Sequence, residues 1–279
     1  MRFAAVRGTR IRLHESGDPA APPIVMLHGI GRSLEDWEAQ HPLFDDGYRV
    51  VSIDMPGLGM SGRMPGPTTL GVLADGVWAT LDTIGETRPV HLMGNSLGGA
   101  VSMTMLADTP GRVSSLTLVN SAGFGREVTA TLRLLAVPGL GRQMLRRIDR
   151  ATVSRMERML FADRALVTPA RVETALRIAR QPDFAAVYLE IARALGGICG
   201  VGAAWRAELL AGLAGSTVPT TLVWGDRDLI LPSRHLAAAR KAFPRARFHL
   251  FPETGHMPQI ERPAEFAALV RPMLAQVAT

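Results

Sequence analysis

The stretch Met93-Gly94-Asn95-Ser96-Leu97-Gly98-Gly99-Ala100 decides how the rest of this chain reads. Before it lies Arg88-Pro89-Val90-His91-Leu92, a short apolar run bounded by a proline. After it, residues 101–107 read as a buried helix. The order is therefore strand, Gly-x-Ser-x-Gly, helix. In that context the pentapeptide forms a tight turn that exposes a serine hydroxyl at its apex. Gly94 and Gly98 stand where backbone must pass close to backbone, and Ser96 is expected to carry a strained conformation. The helix behind it aims its N-terminal N–H groups at the site, where they favour negative charge. On its own the pentapeptide is equally compatible with a turn that does no chemistry.

Outward from this turn, apolar runs at 24–27, 49–53 and 113–119 read as buried strands. Residues 3–6 and 10–16 read as an edge pair around Gly8. A helix is expected after Gly31 through Trp37. Another is expected at 70–84, where Leu70, Leu73, Val77, Leu81 and Ile84 share one face. Strand and helix alternate from 24 to 119, which implies a parallel sheet with helices on both faces. The alternation stops at Asn120. Residues 124–212 hold no strand pattern and read as several helices punctuated by Pro138-Gly139, Thr168-Pro169, Gln181-Pro182 and Gly196-Gly197. The alternation then resumes, with strands at 220–224 and 247–251 and helices at 234–242 and 263–276. The reading is an α/β core formed by 1–123 and 213–279, with a mostly parallel eight-stranded sheet. A helical cap, 124–212, is inserted after the sixth strand.

Composition fits a globular chain of 279 residues, with 47% hydrophobic and 20% charged residues. Cys199 is the sole cysteine, so no internal disulfide can form. No apolar run is long enough to span a bilayer, and the first eight residues lack a signal-peptide core, so the chain is read as cytoplasmic without a membrane anchor. The net charge is +6. Basic residues are interleaved with acids and lack aromatic clusters, which argues against nucleic acid as a partner. Segment 124–212 carries fourteen arginines against eight acidic residues, enough to account for the whole net charge. Such a segment either attracts acidic ligands or is a solvated helical surface.

A serine nucleophile needs a base, usually histidine, and the base needs an orienting acid. Glu253-Thr254-Gly255-His256-Met257-Pro258 supplies His256 in a loop before the last helix. Trp224-Gly225-Asp226-Arg227-Asp228 supplies two carboxylates just past a strand end. All of these lie at the C-terminal ends of strands, where open α/β sheets place ligands. His14, His41, His91, His235 and His249 have no supporting motif and are taken as structural. There is no His-Glu-x-x-His, cysteine pair, carboxylate cluster or dinucleotide fingerprint, so no metal and no cofactor are expected.

Taken together, His28-Gly29, Asp54-x-Pro56-Gly57-x-Gly59-x-Ser61, the Ser96 turn, Gly225-x-x-Asp228 and Gly255-His256 resemble the α/β-hydrolase family over essentially the whole chain. The resemblance implies a Ser96–His256–Asp228 triad, with the acid at the fourth position of Gly-x-x-Asp rather than at Asp226. Some relatives carry the acid after the preceding strand, but this chain has Asn120 there. The resemblance also implies an oxyanion hole made by the backbone N–H groups of Leu97 and Ile30. His28 and Asp54 are assigned structural roles.

The expected reaction is acyl transfer to water on a small-molecule substrate. The first reading is an ester or thioester of a small-to-medium apolar acyl group. A carbon–carbon hydrolase of the meta-cleavage-product type is the alternative. Those relatives often share Gly-Asn-Ser-x-Gly-Gly, but they usually carry a proline-containing Gly-rich loop and a tryptophan after the histidine. Here those places hold His28-Gly29-Ile30-Gly31-Arg32 and Met257. A non-catalytic ligand-binding member is the third reading, and the intact triad argues against it.

Overall fold

In the computed structural model, Ile24 and Met26 face one apolar layer while Val25 and Leu27 face another. The same alternation separates Val50 from Val51, Met93 from Leu92, and Val223 from Leu222 and Trp224. A period of two with both faces apolar is the pattern of strands covered by helices on both sides. The structure describes residues 1–146 and 148–277. Arg147 and residues 278–279, which the sequence reading assigns to the cap and to the end of the core, lie outside the described residues.

The strands are β1 (Arg2–Val6), β2 (Thr9–Ser16), β3 (Pro23–Leu27), β4 (Arg49–Ile53), β5 (Val90–Asn95) and β6 (Val113–Val119), followed later by β9 (Thr220–Gly225) and β10 (Arg247–Phe251). They form one eight-stranded sheet in the order β1-β2-β4-β3-β5-β6-β9-β10. β1 and β2 pair antiparallel at one edge, and every pair from β4 to β10 is parallel. Helices α1 (Leu70–Thr83) and α2 (Leu97–Asp108) contribute Leu73, Val77, Val101 and Met105 to one layer. Thr69 caps α1 by accepting the Val72 N–H.

Between β6 and β9 the chain forms α3 (Ala130–Leu135), α4 (Leu140–Leu145), α5 (Arg150–Leu160), α6 (Pro169–Ala179) and α7 (Phe184–Leu195). A two-stranded hairpin follows, β7 (Gly196–Gly197) with β8 (Gly200–Val201), and then α8 (Ala203–Gly212). The hairpin corrects the expectation that this segment lacks strands. Its strands are two residues long and glycine-rich, so they leave no side-chain alternation to read. After β9 come α9 (His235–Ala242), then β10, α10 (Pro258–Glu261) and α11 (Pro263–Val277). Phe266, Val270 and Leu274 of α11 pack on the second layer, beside Trp37. The helix expected through Trp37 is a 3-10 helix, Leu34–Leu43, with Pro42 inside it. Among the described residues, no helix is long and apolar enough to cross a membrane.

Candidate active site

Ser96 sits between β5 and α2 with φ 55° and ψ −114°. A non-glycine residue there costs on the order of 1–3 kcal/mol and persists only where the surroundings enforce it. The glycines are part of that enforcement. A Cβ on Gly94 would overlap the Gly98 carbonyl, and one on Gly98 would overlap the Leu27 carbonyl. Packing of β3, β5 and α2 thus leaves Ser96 no other turn to make. The Ser96 N–H donates to Val119 O at 3.0 Å, tying the apex to β6.

His256 and Asp228 meet at the ends of β10 and β9. His256 Nδ1–H donates to Asp228 Oδ2 at 2.7 Å, and both side chains are buried. Asp228 Oδ1 accepts the Ile230 and Leu231 N–H groups at 2.7 and 3.0 Å, which fixes the carboxylate plane. Asn120 completes the set by donating from Nδ2 to Oδ2 at 2.6 Å. It lies in the left-handed region at φ 44°, a conformation asparagine tolerates better than most residues. Asp226 is exposed, and its Oδ1 accepts the Thr254 N–H at 3.2 Å. It braces the histidine loop and does not reach the imidazole.

The His256 loop is also tied to the last residue of α5 and to the segment after it. The His256 N–H donates to Leu160 O at 2.7 Å. Glu261 accepts the Gly255 N–H on one oxygen and the Ala162 N–H on the other, each at 2.8 Å. Burial raises the Glu261 carboxyl above its ordinary range, against the pull of those donors. Sequence reading did not single out Glu261. Its role rests on the contact with Ala162, 99 positions away, which no local pattern carries.

Two cavities meet at Ser96. The first, about 70 Å³, is walled by Leu97, Val128, Ala192, Leu195, Val201 and Trp205. The second, about 110 Å³, holds His256 and is walled by Val153, Met156, Leu160, Phe184 and Tyr188. Ile30, Leu132 and Ile230 line both. Ser96 and His256 both line the second cavity, and no hydrogen bond joins their side chains. The backbone N–H groups of Ile30 and Leu97 donate to no acceptor among the described residues. The residues named for the oxyanion hole therefore keep two free donors beside the serine.

His28 and Asp54 are used up elsewhere. His28 Nδ1–H donates to Gly29 O at 2.8 Å and Nε2 accepts the Met55 N–H at 3.2 Å. Burial lowers its pKa, with Asp54 acting the other way. Asp54 accepts from Arg12, Leu34 and Met60 at 2.7 Å each. These bonds knit the loops after β3 and β4, and so position Ile30. Of the described arginines in 124–212, Arg133 alone lines either cavity.

The model of the alpha/beta hydrolase fold matches residues 22–263. The chain belongs to the α/β-hydrolase family. Over 258 residues this hydrolase is 34% identical to the dihydrolipoyllysine-residue acetyltransferase component of the acetoin cleaving system of Pseudomonas putida, with 92% of this chain and 65% of that protein covered. The chain thus spans just under two thirds of that relative's length. It is 30% identical over 279 residues to a 2-hydroxymuconate semialdehyde hydrolase of a Pseudomonas species, covering 96% and 92% of the two chains. Among solved structures it resembles a meta-cleavage product hydrolase of Pseudomonas fluorescens, with a TM-score of 0.81, 22% identity, and 99% and 98% of the chains covered. At that identity the structural likeness speaks for the fold.

Proposed function

We propose that this α/β hydrolase cleaves an ester or thioester of a small-to-medium apolar acyl group through an acyl-enzyme on Ser96. The observation that carries the reading is the placement of Ser96 between two apolar cavities, beside the Asp228-held His256 and two unclaimed amide donors. His256 takes the hydroxyl proton as Ser96 attacks the carbonyl, and the Ile30 and Leu97 N–H groups hold the oxyanion. His256 then gives the proton to the leaving group. Water, activated by the same imidazole, releases the acid. Asp228 keeps Nδ1 protonated and stabilises the imidazolium. One cavity takes the acyl chain and the other the leaving group.

A second reading is a carbon–carbon hydrolase acting on a meta-cleavage product. The name of the 30%-identical relative supports it, as does the division of the site into two compartments around the serine. A turnover screen separates the two, using 4-nitrophenyl esters from about two to twelve carbons beside a meta-cleavage dienoate. With about 0.8 kcal/mol gained per buried methylene, kcat/KM is expected to rise roughly fourfold per carbon until the cavity is full and to fall beyond it. A flat ester profile with efficient dienoate turnover would transfer the chain to the second reading.

A further inference from the structure

Helix α5 of the cap is held at two points three residues apart. At Glu157, Oε1 accepts from Arg32 Nη1. At Leu160, the last residue of the helix, the main-chain oxygen accepts the His256 N–H at 2.7 Å. The final carbonyls of a helix have no donor within it, so the base caps α5 with its own backbone. The two partners belong to the two halves of the catalytic apparatus. Arg32 closes the turn that carries Ile30, its N–H donating to Gly29 O at 3.3 Å. His256 is the base.

Neither hold is a single bond. Arg32 also donates through Nε and Nη2 to Asp36, at 2.9 and 2.6 Å, which fixes the plane of the guanidinium that Glu157 meets. Asp36 and Glu157 are both buried. A buried ion pair adds little net stability over apolar packing, so its effect here is geometric. At the other point, Glu261 accepts the Gly255 N–H on Oε1 and the Ala162 N–H on Oε2, each at 2.8 Å. One carboxylate thus joins the residue before His256 to the chain just past α5. Phe161 and Met257, which follow Leu160 and His256, lie in one buried cluster with Ile260. The His256 carbonyl in turn accepts from Asn95 Nδ2 at 3.0 Å. The main chain of the base is therefore held by the cap on its N–H and by the neighbour of Ser96 on its carbonyl. Asp228 orients the ring; these bonds place the backbone that carries it.

We propose that α5 is a strut that sets His256 against the oxyanion loop, and that Glu157 and Glu261 are positioning residues fastening its two ends. The proposal rests on the serine-hydrolase reading above. It gives the cap a part in the chemistry besides walling the second cavity, which Val153, Met156 and Leu160 of the same helix do. Proton transfer and oxyanion stabilisation both depend on donor and acceptor standing within hydrogen-bond reach of the reacting atoms. A strut fixed at one end alone no longer sets that spacing, so losing either end has the consequence of losing both.

The test is a double-mutant cycle on Glu157→Met and Glu261→Gln. It is read as kcat per organophosphonate-titrated site with the best-turned-over 4-nitrophenyl ester, so loss of folded protein cancels. Met keeps the bulk of the cavity wall and removes the bond to Arg32. Gln replaces one acceptor oxygen of Glu261 with an N–H donor and so breaks the bridge. Each single variant is expected to lower kcat about tenfold, with KM changed by less than about threefold. The double variant is expected to fall within about threefold of the worse single one, whereas independent contacts would multiply to about a hundredfold. If Glu157→Met does not fold, Arg32→Lys takes its place, since an ammonium lacks the fork that serves Asp36 and Glu157 together. A multiplicative double variant would overturn the proposal. So would a single variant with unchanged kcat per site, whether or not its KM rises or its melting point falls. A wild type that takes no label on Ser96 and turns over no ester would overturn the hydrolase reading, and the proposal with it; a labelled wild type with a multiplicative cycle would overturn the strut alone.

Discussion

Asn120 Nδ2 and His256 Nδ1 share one acceptor, Asp228 Oδ2, at 2.6 and 2.7 Å. Asn120 stands where some relatives carry the acid itself. In this chain its side-chain amide bonds the Asp228 carboxylate, which also accepts from His256. Asn120→Ala is expected to lower kcat about tenfold with KM little changed, the loss of roughly one buried hydrogen bond to a charged group. Steady-state kinetics beside a thermal melt checks this. An unchanged kcat in a folded variant would remove Asn120 from the positioning set.

Asp226 and Asp228 offer a sharper contrast. Asp228→Asn disturbs both the imidazole tautomer and the imidazolium, and is expected to lower kcat by roughly 10³–10⁴-fold. Asp226→Asn loses one bond to the Thr254 N–H and is expected to change kcat only a few-fold. Greater damage from Asp226→Asn would reverse the assignment.

Much of this was legible in the residues. The central strands could be read because they are short apolar runs, the first two because they flank the turn at Gly8, and Ser96 because glycines must flank so tight a turn. The β7–β8 hairpin could not, since Gly196-Gly197 and Gly200-Val201 offer no pattern. Glu157 was hidden for a different reason. In sequence it is one acid among the arginines of 150–158, and its pairing with Arg32 spans 125 positions. The roles of Asn120 and Glu261 depend likewise on contacts more than a hundred positions away or across a loop, which periodicity does not carry.

Buried histidines contribute to the acid sensitivity of the fold. His41 lies between Ser16 and Ser52, and burial pushes its pKa down to about 3. His91 bonds Ser115 and is pushed down to about 4 by burial. Both are neutral in the folded chain and protonate in the unfolded chain near pH 6.5, so the unfolded state binds more protons in between. Their contribution is fully present above about pH 6.5 and is lost as pH falls toward 4 and then 3. Urea midpoints are expected to fall steadily from pH 7 to pH 4, and less steeply in His91→Gln, which keeps a partner for Ser115. Equal slopes for the two proteins would show that His91 does not titrate on unfolding.

The central claim is that Ser96 is the nucleophile. The most direct measurement is intact-protein mass after treatment with an organophosphonate, followed by peptide mapping, in wild type and Ser96→Ala. One adduct per chain is expected on the peptide holding Ser96, with esterase activity lost in step with labelling. Ser96→Ala is expected to stay folded, to take no label, and to lose on the order of 10⁴ or more in turnover. A folded Ser96→Ala protein that still takes the label, or that keeps near wild-type turnover, would contradict the account.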